Sequence, residues 1–226
     1  MTPERRRSFI AEHTTLEANA FLPEIRLHTG GLAMPLWEAA FLADDRLPVP
    51  PPYWAWAWAG GQALARYVLD HPELVRGKRV ADVGAGGGVV AIAAAVAGAA
   101  HAVAIDIEPY AVEACHLNAA ANGVAIEARE ADPVGTDDGW DVVLAGDVWY
   151  EAELAAYMEP WLRTLAVRGA DVLTGDLGRA YLPADGLVEL ARYAVPTLAD
   201  LEDVTVKDAR VLRVSSGDPR SPSSAR

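Results

Sequence analysis

Val80-Ala81-Asp82-Val83-Gly84-Ala85-Gly86-Gly87-Gly88 is the stretch that decides the fold. Short apolar residues lead into clustered glycines, and the Ala-rich run 89–97 follows. A strand that empties through a glycine turn into a helix is the context a nucleotide loop requires. Glycines there let the backbone reach positive φ and approach a ligand closely. A tight turn chosen only for packing is the competing reading. The dinucleotide spacing G-x-G-x-x-G fails when counted from Gly84, because its last position is Val89. Counted from Gly86 it runs Gly86, Gly88, Ala91, which is permitted. Charge helps to choose. Asp82 at the strand end repels a pyrophosphate and attracts a cation. S-adenosylmethionine (SAM) carries an ammonium, a sulfonium and no phosphate, so Asp82 suits it better.

Outward from the loop, the next strand ends in Asp106-Ile107. Asp106 stands about 20 residues past Gly84, where an acidic residue reads ribose hydroxyls. A helix cap ahead of Pro109 is a compatible second role. Asp132-Pro133 follows the third strand, where an adenine edge is read; a plain loop aspartate is the alternative. Around these positions the pattern alternates. Strands are expected at 79–83, 102–105, 126–129, 141–144 and 170–174. Helices are expected at 62–69, 89–97, 109–121, 151–165 (with Pro160 inside) and 185–193. Residues 204–206 and 210–214 read as a closing pair of strands. Alternating strand and helix implies a doubly wound parallel sheet whose ligands sit beyond the strand C-termini, where strand order reverses.

The first sixty residues are irregular. A helix over 8–21, an extended pair at 24–28 and 32–36, and a stiff linker around Pro48, Pro50, Pro51 and Pro52 are expected. The organisation is therefore an N-terminal extension with its linker (1–59), a main domain (60–214) and a Ser/Pro-rich, disordered tail (215–226).

Of 226 residues, 52% are apolar, enough for one core. Asp plus Glu is 32 against 19 for Lys plus Arg, a formal charge of −13. Such a surface repels nucleic acid and suits a basic partner or cationic ligand. Arg5-Arg6-Arg7 faintly imitates an export signal but lacks the apolar stretch behind it. Residues 83–105 are long enough for a membrane span, yet their glycines each cost about 1 kcal/mol in a helix. The expectation is a chain outside the membrane. The lone Cys115 excludes an internal disulfide or multi-cysteine metal site and agrees with a reducing, cytoplasmic setting. His28, His71, His101 and His116 show no metal-ligand spacing, and no metal is expected.

The chain resembles the class I SAM-dependent methyltransferases on the glycine stretch and Asp106. It resembles more closely the lysine methyltransferases of the electron transfer flavoprotein β-subunit. That resemblance runs from about Pro23 to Val214. It rests on Pro52-Tyr53-Trp54-Ala55, residues 58–70, Val75-Arg76-Gly77-Lys78, Gly146-Asp147-Val148-Trp149-Tyr150 and Gly175-Asp176-Leu177-Gly178-Arg179. Ala59 and Leu177 stand where that family is expected to have proline. The resemblance implies a Rossmann-like, mostly parallel sheet of seven strands with an antiparallel last strand. It implies SAM as methyl donor, bound by Trp58, Asp82, Gly84, Ala85, Gly86, Asp106, Ile107, Asp132, Pro133 and Gly146. It implies a lysine-bearing protein substrate, the flavoprotein β-subunit, and a D-x-x-Y motif at Asp147 and Tyr150 where amine meets methyl.

Trp54, Trp56 and Trp58 have their own logic: alternate residues of an extended segment point one way and wall a cation by cation–π attraction. Core packing competes. Trp149 is open between substrate channel and core. Arg179 is open between an acidic part of the substrate and a salt bridge to Asp176 or a neighbour. Three other functions compete: methylation of small amines or pyridine nitrogens, a silent SAM-binding protein, and an NAD-linked oxidoreductase using the shifted glycine frame.

Overall fold

The computed structural model describes residues 1–43, 50–197 and 206–216. In chain order the elements are α1 (Pro3–His13), β1 (Thr14–Ala18), β2 (Arg26–Gly30), α2 (Ala33–Ala43), α3 (Ala59–Asp70), β3 (Arg79–Val83), α4 (Val89–Val96), β4 (His101–Asp106), α5 (Pro109–Ala121), β5 (Glu127–Glu130), β6 (Val142–Gly146), α6 (Ala152–Arg168), β7 (Asp171–Asp176), β8 (Leu187–Pro196) and β9 (Val206–Val214). The main sheet has seven strands among the described residues, in the order β5-β4-β3-β6-β7-β9-β8. β3 to β7 run parallel; β9 lies antiparallel between β7 and β8. The doubly wound sheet and its antiparallel last strand are as expected. β3 sits between β4 and β6, so strand order reverses at the glycine loop.

Strand residues alternate between two apolar cores. Val80, Ala102, Val142, Leu144 and Leu173 pack with α3 and α4. Ala81, Val83, Val103, Ile105, Val143 and Val172 pack with α6 around Trp140, Trp149 and Trp161. Both faces are covered, which is why these strands are continuous apolar runs. Pro109 opens α5 at its first turn, and Asn122 closes it ahead of Gly123 at φ +65°.

Four local expectations are corrected. The helix placed at 8–21 is α1, which starts at the Thr2 cap with Pro3 and Glu4 in its first turn. The β-branched pair Thr14-Thr15 then enters β1. The partner of β2 is therefore β1, in register from Thr14–Gly30 to Ala18–Arg26. Residues 32–36 belong to α2 instead. Residues 185–193, expected as helix, form most of the edge strand β8. A register shift between Glu189 and Ala191 explains the mistake. Leu187 faces the α6 side, whereas Leu190, Ala191 and Tyr193 face the α3 side. One bulge thus turned strand alternation into apparent helical spacing. The expected closing pair is one strand, β9; residues 204–205 lie outside the described residues, as do Pro48 and 217–226 of the expected tail.

The N-terminal segment packs against α5. Tyr110 has Trp54 stacked on it at 5.7 Å and Phe9 edge-on at 5.4 Å, and its hydroxyl donates to the Met1 sulfur. Arg7 pairs with the buried Glu113. Phe9 and Ile10 are the buried residues of α1, each contributing about 2 kcal/mol. No described helix is long and apolar enough to cross a membrane.

Candidate active site

β3 delivers the loop. Gly84, Gly86 and Gly88 lie at φ +66°, +52° and +79°, a region that side chains with a Cβ rarely adopt. Added bulk at Gly87 would come within 2.9 Å of the Trp54 carbonyl. The loop is also held from behind. Cys115 donates to the Gly86 carbonyl at 3.3 Å, and Asn118 to the Gly87 carbonyl at 2.8 Å. The Asn118 oxygen accepts the His28 N–H at 2.7 Å, so one buried amide ties β2 to the loop.

Asp82 is 1% exposed. Its Oδ2 accepts the Ala91 N–H at 2.9 Å, serving the first turn of α4 where Gly88 has no side chain to do so. Burial pushes the Asp82 carboxyl up to about 7, against the Ala91 bond and with the Asp106 charge adding to it. Asp106, at the end of β4, accepts the Gly86 N–H on Oδ2 (2.8 Å) and the Glu108 N–H on Oδ1 (2.9 Å). Burial raises its carboxyl too, opposed by these amides.

Asp147 follows β6 at φ +57°, the only non-glycine with positive φ among the described residues. Such a backbone costs about 1–3 kcal/mol and persists where its surroundings over-determine it. Three bonds do so. Its N–H donates to the Gly175 carbonyl (2.9 Å), Oδ2 accepts the Gly61 N–H (2.6 Å), and Oδ1 accepts from Arg179 Nη1 (2.5 Å). Burial raises the Asp147 carboxyl, while Arg179 and the Gly60 and Gly61 amides hold it down. The free amides at the start of α3 reach Asp147 because glycines let backbones touch. A Cβ on Gly60 would lie 2.3 Å from the Gly175 oxygen, and one on Gly146 2.7 Å from Gly61 Cα. The glycines at 60, 61, 146 and 175 were visible in the sequence; their mutual contact was not.

Trp58, Asp82, Gly84, Ala85, Gly86, Gly146 and Asp147 line one cleft, together with Trp54, Trp56 and His28. The tryptophan row is not extended, because a 3-10 turn at Tyr53–Ala55 breaks it. The Trp56 indole donates to Gly30 and the Trp58 indole to Tyr53, both at 3.0 Å. Tyr53 stands 5.9 Å from the Trp58 ring and 6.1 Å from the Tyr150 ring. Tyr150 and Ile107 are exposed beside the cleft rather than lining it. Asp132 caps Val134 with one oxygen and accepts the Tyr157 hydroxyl at 2.8 Å with the other; Pro133 follows, buried. Tyr157, half-exposed on α6, was missed because nothing in its own neighbourhood marks it.

Two assignments change meaning. Trp149 is 1% exposed, packs in the core with α6, and donates to the Thr174 hydroxyl at 2.8 Å. Its ring is a core ring and does not line the cleft, which corrects its placement among substrate-facing residues. Arg179 is paired within the protein, with Asp147 and with Asp176 at 3.3 Å. Among the described residues no cluster of three or more His, Cys, Asp or Glu is arranged to hold a metal.

This geometry has relatives. The family described as ribosomal protein L11 methyltransferase (PrmA) matches residues 63–146. The electron transfer flavoprotein beta subunit lysine methyltransferase of Xenopus laevis is 37% identical over 212 residues, covering 91% of this chain and 85% of that one. Its Danio rerio counterpart is 36% identical over 215 residues, covering 92% and 82%. Among solved structures, Thermoplasma acidophilum 1320 matches with a TM-score of 0.52 at 18% identity, covering 69% of this chain and 89% of that one. Magnesium protoporphyrin IX methyltransferase from Synechocystis PCC 6803 with bound SAH matches with a TM-score of 0.50 at 19% identity, covering 68% and 80%. These two likenesses speak for the fold.

Proposed function

Because the chain belongs to the electron transfer flavoprotein beta subunit lysine methyltransferase family, we propose that it transfers methyl groups from SAM to lysine ε-amines of the flavoprotein β-subunit, in a cytoplasmic setting. The observation that carries this reading is the convergence of a glycine loop with Asp82 and Asp106 at the C-terminal ends of β3 and β4 and Asp147 just past β6. Among the described residues no lysine or arginine lines the cleft, and the guanidinium bonded to its Asp147, that of Arg179, is already matched by Asp147 and Asp176. A phosphate would find no counter-charge there, while an ammonium or sulfonium would.

The residues present fit SAM. The backbone of Gly84, Ala85, Gly86 and Gly146 offers a close-approach cradle, and Trp58 closes one side. Asp82 is the carboxylate for the cationic end and Asp106 the acceptor for the ribose diol. The exposed side chain of Ile107 and the Asp132-Pro133 turn suit the adenine. When bound, SAM supplies a methyl on a sulfonium, already activated for attack. The chain's own task is alignment of the incoming amine. A lysine ammonium has no lone pair and an ordinary pKa of ~10.4, so the amine must shed its proton before reacting. Asp147 accepts an N–H of that amine and orients its lone pair toward the methyl carbon. With SAM held by the glycine loop, Asp82 and Asp106, its methyl would pass to the amine oriented by Asp147 while the sulfur kept the bonding pair, and water would take the proton from the new ammonium. Tyr53 and Tyr150 shape the mouth through which the lysine side chain enters.

Radiolabelled SAM with purified β-subunit, run beside a panel of small amines, tests this. Label in the protein and mass gain in methylene steps are expected. Label confined to the small amines would overturn the protein-lysine reading.

Asp82 adds a pH prediction. Its folded-state pKa of about 7 lies above its unfolded value near 3.8. The stability contributed by its proton is therefore full at low pH and lost as pH rises through about 7. A cationic ligand favours the carboxylate, so SAM should bind about tenfold more tightly at pH 8 than at pH 6 and release up to about one proton on binding below pH 7. Calorimetry in buffers of different ionisation heat measures that proton, and Asp82→Asn should abolish its release. Wild-type binding with no proton released would remove Asp82 from the donor site.

A further inference from the structure

Asp147 does not wait with a bare carboxylate. One oxygen is held by the first amides of α3, and the other by Arg179. Arg179 is itself held on two sides by Asp176, which is fully buried. Asp176 Oδ1 accepts the Gly178 and Arg179 N–H groups at 2.6 and 2.8 Å, folding the turn after β7. Asp176 Oδ2 lies 3.3 Å from the Arg179 guanidinium. Gly178, at φ +80°, leaves room for Arg210 of β9, whose guanidinium would lie 2.9 Å from a Cβ there. The arginine's backbone and head group are thus both fixed. Its side chain is 22% exposed and that of Asp147 10%.

Resting on the functional reading above, we propose that Arg179 is a positioning residue that keeps Asp147 ion-paired, so that the site accepts the target lysine as a neutral amine. An arginine does not give up its proton. With its charge already matched, Asp147 remains a hydrogen-bond acceptor for a neutral N–H but a poor counter-ion for an ammonium. The fixed guanidinium also repels a second cation placed beside it. Without Arg179, Asp147 would pair with the lysine ammonium, a tight but unreactive complex. The charged and titratable groups around Asp147 are Arg179 and Asp176 from the end of β7, Arg210 from β9, and Tyr150 and Glu151 from the segment after β6. Among the described residues, Asp82 of β3 and His28 of β2 line the same cleft as Asp147, and Tyr53 and Asp106 stand near Tyr150. Among these, Arg179 is the cation bonded to Asp147.

The test compares wild type, Arg179→Gln and Arg179→Lys across pH 6 to 10, with purified β-subunit as substrate. Wild-type turnover reports on the functional reading; the difference between profiles reports on this inference. For Arg179→Gln, kcat at neutral pH should fall about tenfold and recover toward pH 10, with KM for the protein substrate lower or unchanged. Arg179→Lys should restore the wild-type position of the profile, and affinity for S-adenosylhomocysteine should be the same in all three. A second readout needs no variant and no turnover. Binding of the β-subunit to the wild type loaded with S-adenosylhomocysteine should release about one proton per lysine engaged near pH 8, measured by calorimetry. A uniform loss of kcat at every pH, a raised KM with an unshifted profile, or binding without proton release would each overturn the proposal.

Discussion

Gly175→Ala is expected to lower stability by about 3 kcal/mol and to abolish methyl transfer. The new Cβ would sit 2.0 Å from the Gly60 carbonyl oxygen and 3.1 Å from Leu64 Cβ. Neither neighbour is a flexible tip. Gly60 is backbone in the first turn of α3, and Leu64 is fully buried against the sheet. The strain relaxes only by moving the start of α3 off β7. That movement withdraws the Gly60 and Gly61 amides from Asp147, leaving a buried carboxylate short of partners. Gly31→Ala is the control. Gly31 meets nothing within 4 Å and is not at positive φ, so its change should stay within about 0.5 kcal/mol. Urea unfolding of the three proteins measures both. A Gly175→Ala protein as stable as wild type would show that α3 does not depend on this contact.

Asp106→Ala is expected to weaken binding of S-adenosylhomocysteine by about 100-fold. Asp106 holds Gly86 and Glu108 through charge-assisted bonds, each worth about 1.5–3 kcal/mol. It is also the acceptor proposed for the ribose hydroxyls. Losing it releases the glycine loop and removes a ligand contact together, and about 2.8 kcal/mol corresponds to a hundredfold. Asp106→Asn keeps one acceptor oxygen and should fall between, near tenfold. Titration calorimetry gives both numbers. Affinity within threefold of wild type for the alanine variant would place the ribose elsewhere.

The elements that the sequence made legible are those with local causes. The glycine turn, Pro109 at the start of α5 and Asn122-Gly123 at its end each act within a few residues. The strands β3, β4, β6 and β7 are apolar because both their faces are covered. What was misread depended on distant partners. Residues 14–18 become a strand because 26–30 lies alongside. Leu190 and Ala191 read as helical spacing because a bulge shifted the phase of β8. For the candidate site, the aspartates were found because charge at a strand tip is conspicuous. Their partners Gly61 and Tyr157 were not, since they come from other segments; Arg179 was singled out, but its bond to Asp147 was not specified. Trp149 stands two residues past Asp147 in a distinctive motif, where an extended chain would put both side chains on one face; Asp147 lies at φ +57°, so that alternation fails. Asp147 turns to the cleft and Trp149 to the core.

The wall of indoles has a practical use. Of seven tryptophans, Trp140, Trp149 and Trp161 lie in the core beside α6, whereas Trp54, Trp56 and Trp58 border the cleft. Light emitted by the first group should form a steady background, while emission from the second is expected to change when a ligand enters. The protein thus carries its own unlabelled optical gauge, from which occupancy is read by titration without a dye or isotope.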